Sequence, residues 1–265
     1  MSDIQVSVVA SAIRSKWWPR LADSLKGNKI NWEIVFVGNV PPPKDIPGLR
    51  WIEANVKPCQ CYEIGFREAR GELIHWAADD AVYKYKNQDN NLDIAYDFYK
   101  KFNDYKTMVA MRPIEDGGDV WKFHHFFGGW EHTPTMAPWG LMSKQFLHEL
   151  GGYDTRFVSG QSENDLVMRG LEAGGRVEVC LNSYVYVDHR TVHPRENKFR
   201  KYYDDDRKFL ERCWVEGGHG AYVNKGKGKK DVKIFDKRQV PLSPYKDENI
   251  KTISQGPKGN NPPWN

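Results

Sequence analysis

The sequence has no long apolar run. Nowhere in its 265 residues does an uncharged stretch approach the roughly 18 residues that a membrane-spanning helix needs, and the N-terminus lacks the apolar core of a signal peptide. A cytoplasmic protein is expected, one that can still work as a peripheral enzyme at a membrane surface. Cysteine is scarce. Cys59, Cys61, Cys180 and Cys213 match no zinc spacing and are too few for a disulfide scaffold, so all four are expected to be thiols. There is no Gly-x-Gly-x-x-Gly and no Walker loop. Both absences count against a dinucleotide dehydrogenase and a P-loop enzyme. What is present, 40% hydrophobic and 28% charged residues, is the composition of a globular protein with one large domain or one domain and an appendage.

The formal charge of +4 is uneven. Seven basic residues between Lys225 and Arg238 face only Asp231 and Asp236, a local charge of +5 that leaves −1 for the rest of the chain. From Gly217 onward glycine, lysine, proline and asparagine dominate. Residues 216–265 therefore read as an extended basic tail on a domain spanning 1–215. Such a tail can touch anionic lipid or nucleic acid, or serve as a solvated linker.

The N-terminal part alternates strands and helices. Val6–Ala10 is a β-branched apolar run, a helix is expected from Pro19, and Glu33–Val37 is a second strand. That spacing implies a right-handed crossover and a parallel pair. Leu49–Glu53 reads as a third strand, Cys61–Arg70 as a helix and Leu73–Trp76 as a short buried strand. The last runs directly into Asp79 and Asp80. Acids at the C-terminal end of a parallel strand can hold a hard divalent cation whose open positions are filled by substrate phosphates. An Asp-Asp pair there also makes local backbone hydrogen bonds in a turn, and both readings stand. Asn90–Tyr105 carries an apolar stripe through Ile94, Phe98, Phe102 and Tyr105 and reads as a core helix. Met108–Met111 is strand-like. Residues 112–140 hold Trp121, Phe123, His124, His125, Phe126, Phe127, Trp130, His132 and Trp139 among glycines and prolines. These aromatics suit stacking on sugars or bases, or a small core beneath a long loop. Further on, a helix capped by Ser143 is expected to end at Gly151-Gly152, and Ser162-x-x-Asp165 is a capping box that starts another helix. Arg176–Val187 is strand-like, and Arg195–Cys213 reads as a helix with Phe199, Tyr203 and Leu210 inward.

Several of these segments together resemble glycosyltransferase family 2, the nucleotide-sugar-dependent inverting enzymes of GT-A fold. The first strand with Ser11 and Arg14, the second strand ending at Gly38-Asn39, and Ala69-Arg-Gly-Glu-Leu-Ile-His-Trp-Ala-Ala-Asp-Asp80 look like the family's donor half, residues 1–83. The family's Asp-x-Asp motif falls on Ala77-Ala78-Asp79. Its first acid is Ala77 here, and its second, the metal and diphosphate ligand, is Asp79, followed by Asp80. Gly38-Asn39 stands where an acid often contacts the base. Gly140–Asp154 and Ser162-Glu-Asn-Asp-Leu-Val-Met-Arg169 look like the acceptor half, residues 108–190. Aligned on Asp165-Leu166 and Arg169, the family's catalytic carboxylate falls on Glu163, with Asp165 second.

The resemblance implies a GT-A fold, a central mixed sheet flanked by helices, and transfer of a sugar from a uridine or guanosine diphosphate sugar to an acceptor hydroxyl with inversion. It implies Mn2+ or Mg2+ at Asp79, Asp80 and His189, the last sitting where many GT-A enzymes place a late ligand near the diphosphate. His193 and Arg195 are weaker candidates for the phosphates. It implies donor contacts from Ser11, Arg14, Gly38, Asn39, Lys57 and Asp79. Glu163 is the expected base, since a hydroxyl is a poor nucleophile and gains from a carboxylate that takes its proton. The acceptor would be a glycan or lipid-linked sugar, or DNA carrying a hydroxylated base. Two other readings are carried: a polyanion-binding module that has lost catalysis, for which Ala77 speaks, and a nucleotidyltransferase, which would release pyrophosphate.

Overall fold

The computed structural model describes residues 4–121, 125, 127, 133–188 and 200–218. Eight strands among them form one mixed sheet in the order β3-β2-β1-β4-β7-β5-β6, with β8 also paired to β5. In chain order these are β1 (Val6–Ser11), α1 (Trp18–Leu25), β2 (Trp32–Gly38), β3 (Leu49–Glu53), α2 (Pro58–Glu68), β4 (Leu73–Trp76) and α3 (Asn91–Lys100). Then follow β5 (Thr107–Glu115), β6 (Gly118–Asp119), β7 (Gly140–Ser143), α4 (Lys144–Glu149), α5 (Ser162–Glu172), β8 (Arg176–Val187) and α6 (Tyr203–Trp214).

β1 sits between β2 and β4, parallel to both. Val6 to Ala10 are all buried, as a strand covered on both faces requires. Its alternation sorts the helices. Val6, Val8 and Ala10 pack with Trp18, Leu21 and Leu25 of α1 and with Leu92 and Ala95 of α3. Val9 packs on the opposite face with Cys59 and Phe66 of α2, Phe146 of α4, Leu166 of α5 and Trp214 of α6. α2 lies so close to that face that a Cβ at Gly65 would meet Val9 Cγ1.

β7 is antiparallel to both of its neighbours, β4 and β5, and β8 is parallel to β5. β1 to β5 and β8 therefore point the same way once β6 and β7 are set aside, and their C-terminal ends share one edge. In parallel sheets that edge binds ligands. α5 runs back from it to the start of β8, so the N-terminus of α5 lies at the same edge.

Three expectations are corrected. The stripe from Asn90 to Tyr105 is helical only to Lys100. Asn103 takes a left-handed φ of 46°, which stops the helix, and Phe102 continues the stripe by packing edge-on to Phe98 at 5.2 Å. Ser162 and Asp165 form no capping box. The N-cap is Gln161, Ser162 Oγ lies 3.3 Å from Cys59 Sγ, and Asp165 pairs with Arg169 at 2.9 Å. Tyr203 faces outward at 44% exposure, whereas Leu210 is buried. Of the long aromatic segment, the described His125 and Phe127 are fully buried, with His125 Nε2 2.9 Å from the Met111 carbonyl. That part of it is a small core.

Candidate active site

The loop after β1 and the turn after β4 meet at Asp79. Its carboxylate is fully buried. Oδ2 accepts from the backbone N–H of Ile13 at 2.8 Å and of Arg14 at 2.7 Å, and from Trp18 Nε1 at 3.2 Å. Oδ1 accepts from Arg14 Nε at 2.6 Å and Nη2 at 2.5 Å. Asp79 thus fixes residues 13–18, which cross the edge of the sheet. Arg14 also reaches Asp80, with Nη1 3.0 Å from Oδ2. Burial alone would lower the Arg14 pKa, but Asp79 and Asp80 raise it, so its charge is locked on.

This arrangement does not fit the expected Mn2+ or Mg2+. Both oxygens of Asp79 are engaged by five donors, and a guanidinium already lies between the two acids where a cation would sit. Among the described residues no group of three or more His, Cys, Asp or Glu side chains could hold a metal ion. The third expected ligand, His189, lies outside the described residues, as do His193, Arg195 and the basic run from Lys225 to Arg238.

The other donor-side candidates are spread along the same edge. Ser11 ends β1 and is half-buried. Gly38 ends β2 against the Ala12 carbonyl, so closely that a Cβ there would collide with the oxygen. Asn39 is exposed, and its Nδ2 donates to Asn55 Oδ1 at 3.3 Å. Lys57 precedes α2 and is buried, its Nζ donating to the Thr155 carbonyl at 2.9 Å. Burial lowers its pKa. Lys57 therefore ties α2 to the turn at 151–155 and does not join the Arg14 cluster.

Glu163 stands half-buried in the first turn of α5. One residue, unremarked in the sequence, connects it with the Asp79 cluster. Tyr62 of α2 donates its hydroxyl to the Ala77 carbonyl at 2.5 Å. Burial pushes this hydroxyl above its ordinary pKa, and the charges of Asp79 and Glu163 push it further. Tyr62 thus lies within electrostatic reach of both acids. Asp165, in the same helical turn, has different surroundings. It is fully buried, bound to Arg169 Nε at 2.9 Å and to Trp214 Nε1 at 3.0 Å. Arg169 in turn donates to the carbonyls of Leu150 and Gly152. Asp165 is a structural clamp beneath the helix. Neither Tyr62 nor Trp214 carried a sequence signal beyond an aromatic on a helix, because their partners lie far away in the chain.

The fold resembles that of solved GT-A-like proteins. S. aureus TarS superposes with a TM-score of 0.57 at 13% identity over 78% of this chain and 39% of TarS. TarS 1-349 in complex with UDP gives 0.53 at 14% identity over 70% of this chain and 60% of that one, and its complex with UDP-GlcNAc gives 0.57 at 13% over 78% and 66%. The fold is GT-A. The chain spans about two fifths of the length of TarS. At this identity the likeness is one of fold. The sequence matches none of the protein-family models and none of the curated proteins compared with it. Among the described residues no helix is long and apolar enough to cross a membrane.

Proposed function

We propose that this chain transfers a sugar from a nucleoside-diphosphate sugar to an acceptor hydroxyl, with inversion and with Glu163 as the base. One observation supports the reading: a half-buried carboxylate stands in the first turn of α5 at the ligand-binding edge of a GT-A sheet, the edge that also carries the Arg14–Asp79 loop. The donor is assigned to the uridine diphosphate sugars, since the TarS structures with this fold hold UDP and UDP-GlcNAc. The acceptor is assigned to the hydroxyl of a glycan or lipid-linked sugar, with a hydroxylated DNA base as the alternative substrate.

The chain's own groups have distinct tasks in this scheme. The backbone at Ser11–Arg14, held rigid by Asp79, bounds the nucleotide pocket. Arg14 presents a permanent positive charge, one-third exposed, beside the leaving diphosphate. Glu163 takes the proton of the attacking hydroxyl from the face opposite the leaving group, so a single displacement inverts the anomeric centre. No second nucleophile is required.

The test is nucleotide release. With UDP-GlcNAc and a panel of glycan acceptors, UDP should appear, and Glu163→Gln should lower the rate by about 100- to 10,000-fold. Thermal stabilisation by UDP should be the same in both proteins. Pyrophosphate release from a nucleoside triphosphate and sugar phosphate would establish a nucleotidyltransferase instead. Binding of heparin or DNA with no nucleotide-dependent stabilisation would establish a polyanion-binding module.

A further inference from the structure

The segment before Glu163 is gripped by the last described helix. Three successive backbone N–H groups, those of Val158, Ser159 and Gly160, converge on the carboxylate of Asp206 in α6, at 2.9, 2.7 and 3.0 Å. Asp206 is 3% exposed. Such a nest of consecutive amides closed on one anion leaves a loop little freedom. The next residue, Gln161, is a non-glycine with a left-handed φ of 69°. A strained backbone of this kind persists only where its surroundings hold it. Gln161 Nε2 donates to Tyr203 Oη of the same helix at 2.8 Å, and Asn164 Nδ2 donates to Gln161 Oε1 at 2.9 Å. α5 begins immediately afterwards, and Glu163 is its second residue.

The opposite side of the loop rests on α2. Cys59 N donates to the Val158 carbonyl, and Cys59 Sγ meets Ser162 Oγ at 3.3 Å. The loop is therefore clamped between α2 and a helix whose carboxylate accepts from three of its backbone amides, with the Lys57 charge also acting on that carboxylate.

We infer that Asp206 is a positioning residue for Glu163: it sets the entry angle of α5 and hence the place of the carboxylate that takes the acceptor proton. This inference rests on the transferase reading above. Asp206 itself accepts from the loop and needs no contact with donor or acceptor. The chemistry of a proton abstraction is sensitive to placement, and a displacement of about 1 Å can lower the rate by about 100-fold.

The experiment measures UDP affinity, kcat, KM for UDP-GlcNAc and the pH profile of kcat for the full chain and for Asp206→Asn and Asp206→Ala. An amide oxygen can replace part of the carboxylate's acceptance, whereas alanine replaces none. The expected result is a kcat about 10-fold lower in Asp206→Asn and about 100-fold lower in Asp206→Ala, UDP affinity within twofold, and a displaced acidic limb of the kcat profile. Tyr203→Phe keeps the inference testable if the alanine variant does not fold. It removes the hydroxyl that accepts from Gln161 while keeping the ring, and it should lower kcat about threefold at unchanged thermal stability. Turnover in the wild type with kcat unaffected by Asp206→Asn and Tyr203→Phe overturns the positioning role alone. A parallel loss of UDP affinity and kcat also overturns it, since that is general loosening of the fold. A wild type that releases no UDP from any donor overturns the transferase reading and the positioning role together.

Discussion

Replacing Asp79 by alanine distinguishes a ligand from a keystone. A carboxylate whose main task is to face a metal or a diphosphate can be removed with little effect on folding. The geometry here predicts the opposite. The change leaves the N–H of Trp18, a side chain 1% exposed, without its acceptor. It also takes Arg14 away from the partner that binds both its Nε and its Nη2. An orphaned buried donor costs about 1–3 kcal/mol, and breaking a buried ion pair costs about 3–5 kcal/mol. The two do not add fully. Arg14 retains Asp80 and partial exposure. A net loss of about 3–5 kcal/mol follows, a large share of the roughly 5–15 kcal/mol that stabilises an ordinary domain. Urea unfolding followed by tryptophan fluorescence reads it directly as a fall in midpoint at constant slope. Asp79→Asn, which keeps one acceptor oxygen, should lose about half as much. A loss under about 1 kcal/mol for Asp79→Ala would refute the keystone reasoning and return Asp79 to the role of an exposed ligand.

Glu63 supplies a pH dependence. Burial pushes this carboxyl up from 4.5 to about 8, against the pull of Arg67 at 3.0 Å. Between those values the folded chain holds a proton that the unfolded chain releases, so stability should fall as pH rises across the window, by at most about 1.4 kcal/mol per pH unit. Glu63→Gln should flatten that slope in urea titrations at pH 5.5, 7 and 8.5, and an unchanged slope would remove Glu63 as its source. Gly65→Ala should destabilise by about 1–2 kcal/mol, because the close packing of α2 on Val9 outweighs the gain in helix propensity; a rise in thermal midpoint would contradict that packing. All four cysteines are buried, and burial raises the thiol of Cys61 to about 12 and those of Cys59 and Cys180 above their ordinary value. A disulfide reagent at pH 8 should therefore label the native chain slowly and label four thiols in denaturant, whereas rapid native labelling would contradict their burial.

Strands were the most legible part of the sequence. Leu49–Glu53, Leu73–Trp76 and Arg176–Val187 run as their apolar patterns indicate. Their signal is local and needs no knowledge of partners. Asn103 shows where local signal fails: the apolar stripe continues past it, but its left-handed backbone ends the helix. The site was legible in its residue types and less so in their roles. Asp79, Arg14 and Glu163 stand out as charges near element ends. That Asp79 would be enclosed by donors from the β1–α1 loop, 61–66 positions away, is a property of the sheet order and of no sequence motif. Asp165 misled for a related reason. Its spacing from Ser162 satisfies a local rule, while its actual partners are Arg169 one turn on and Trp214 on another helix. Asp206 carried no signal at all: the expected helix over Arg195–Cys213 places it among other charges in mid-helix, whereas the helix runs Tyr203–Trp214 and Asp206 lies in its first turn.

β7 has an architectural consequence. Being antiparallel to β4 and β5, it begins at the edge where both of them end. The chain that leaves β5 through the short β6 turn and rejoins the sheet at Gly140 thus departs and returns on the same side. The described residues of that excursion are tied back into the same core: His125 reaches the Met111 carbonyl, Phe127, Met136 and Ala137 pack in the cluster around Val9, and Trp76 Nε1 donates to the Ala137 carbonyl, so a long detour outside the strand ladder is anchored by the strands it departs from and rejoins.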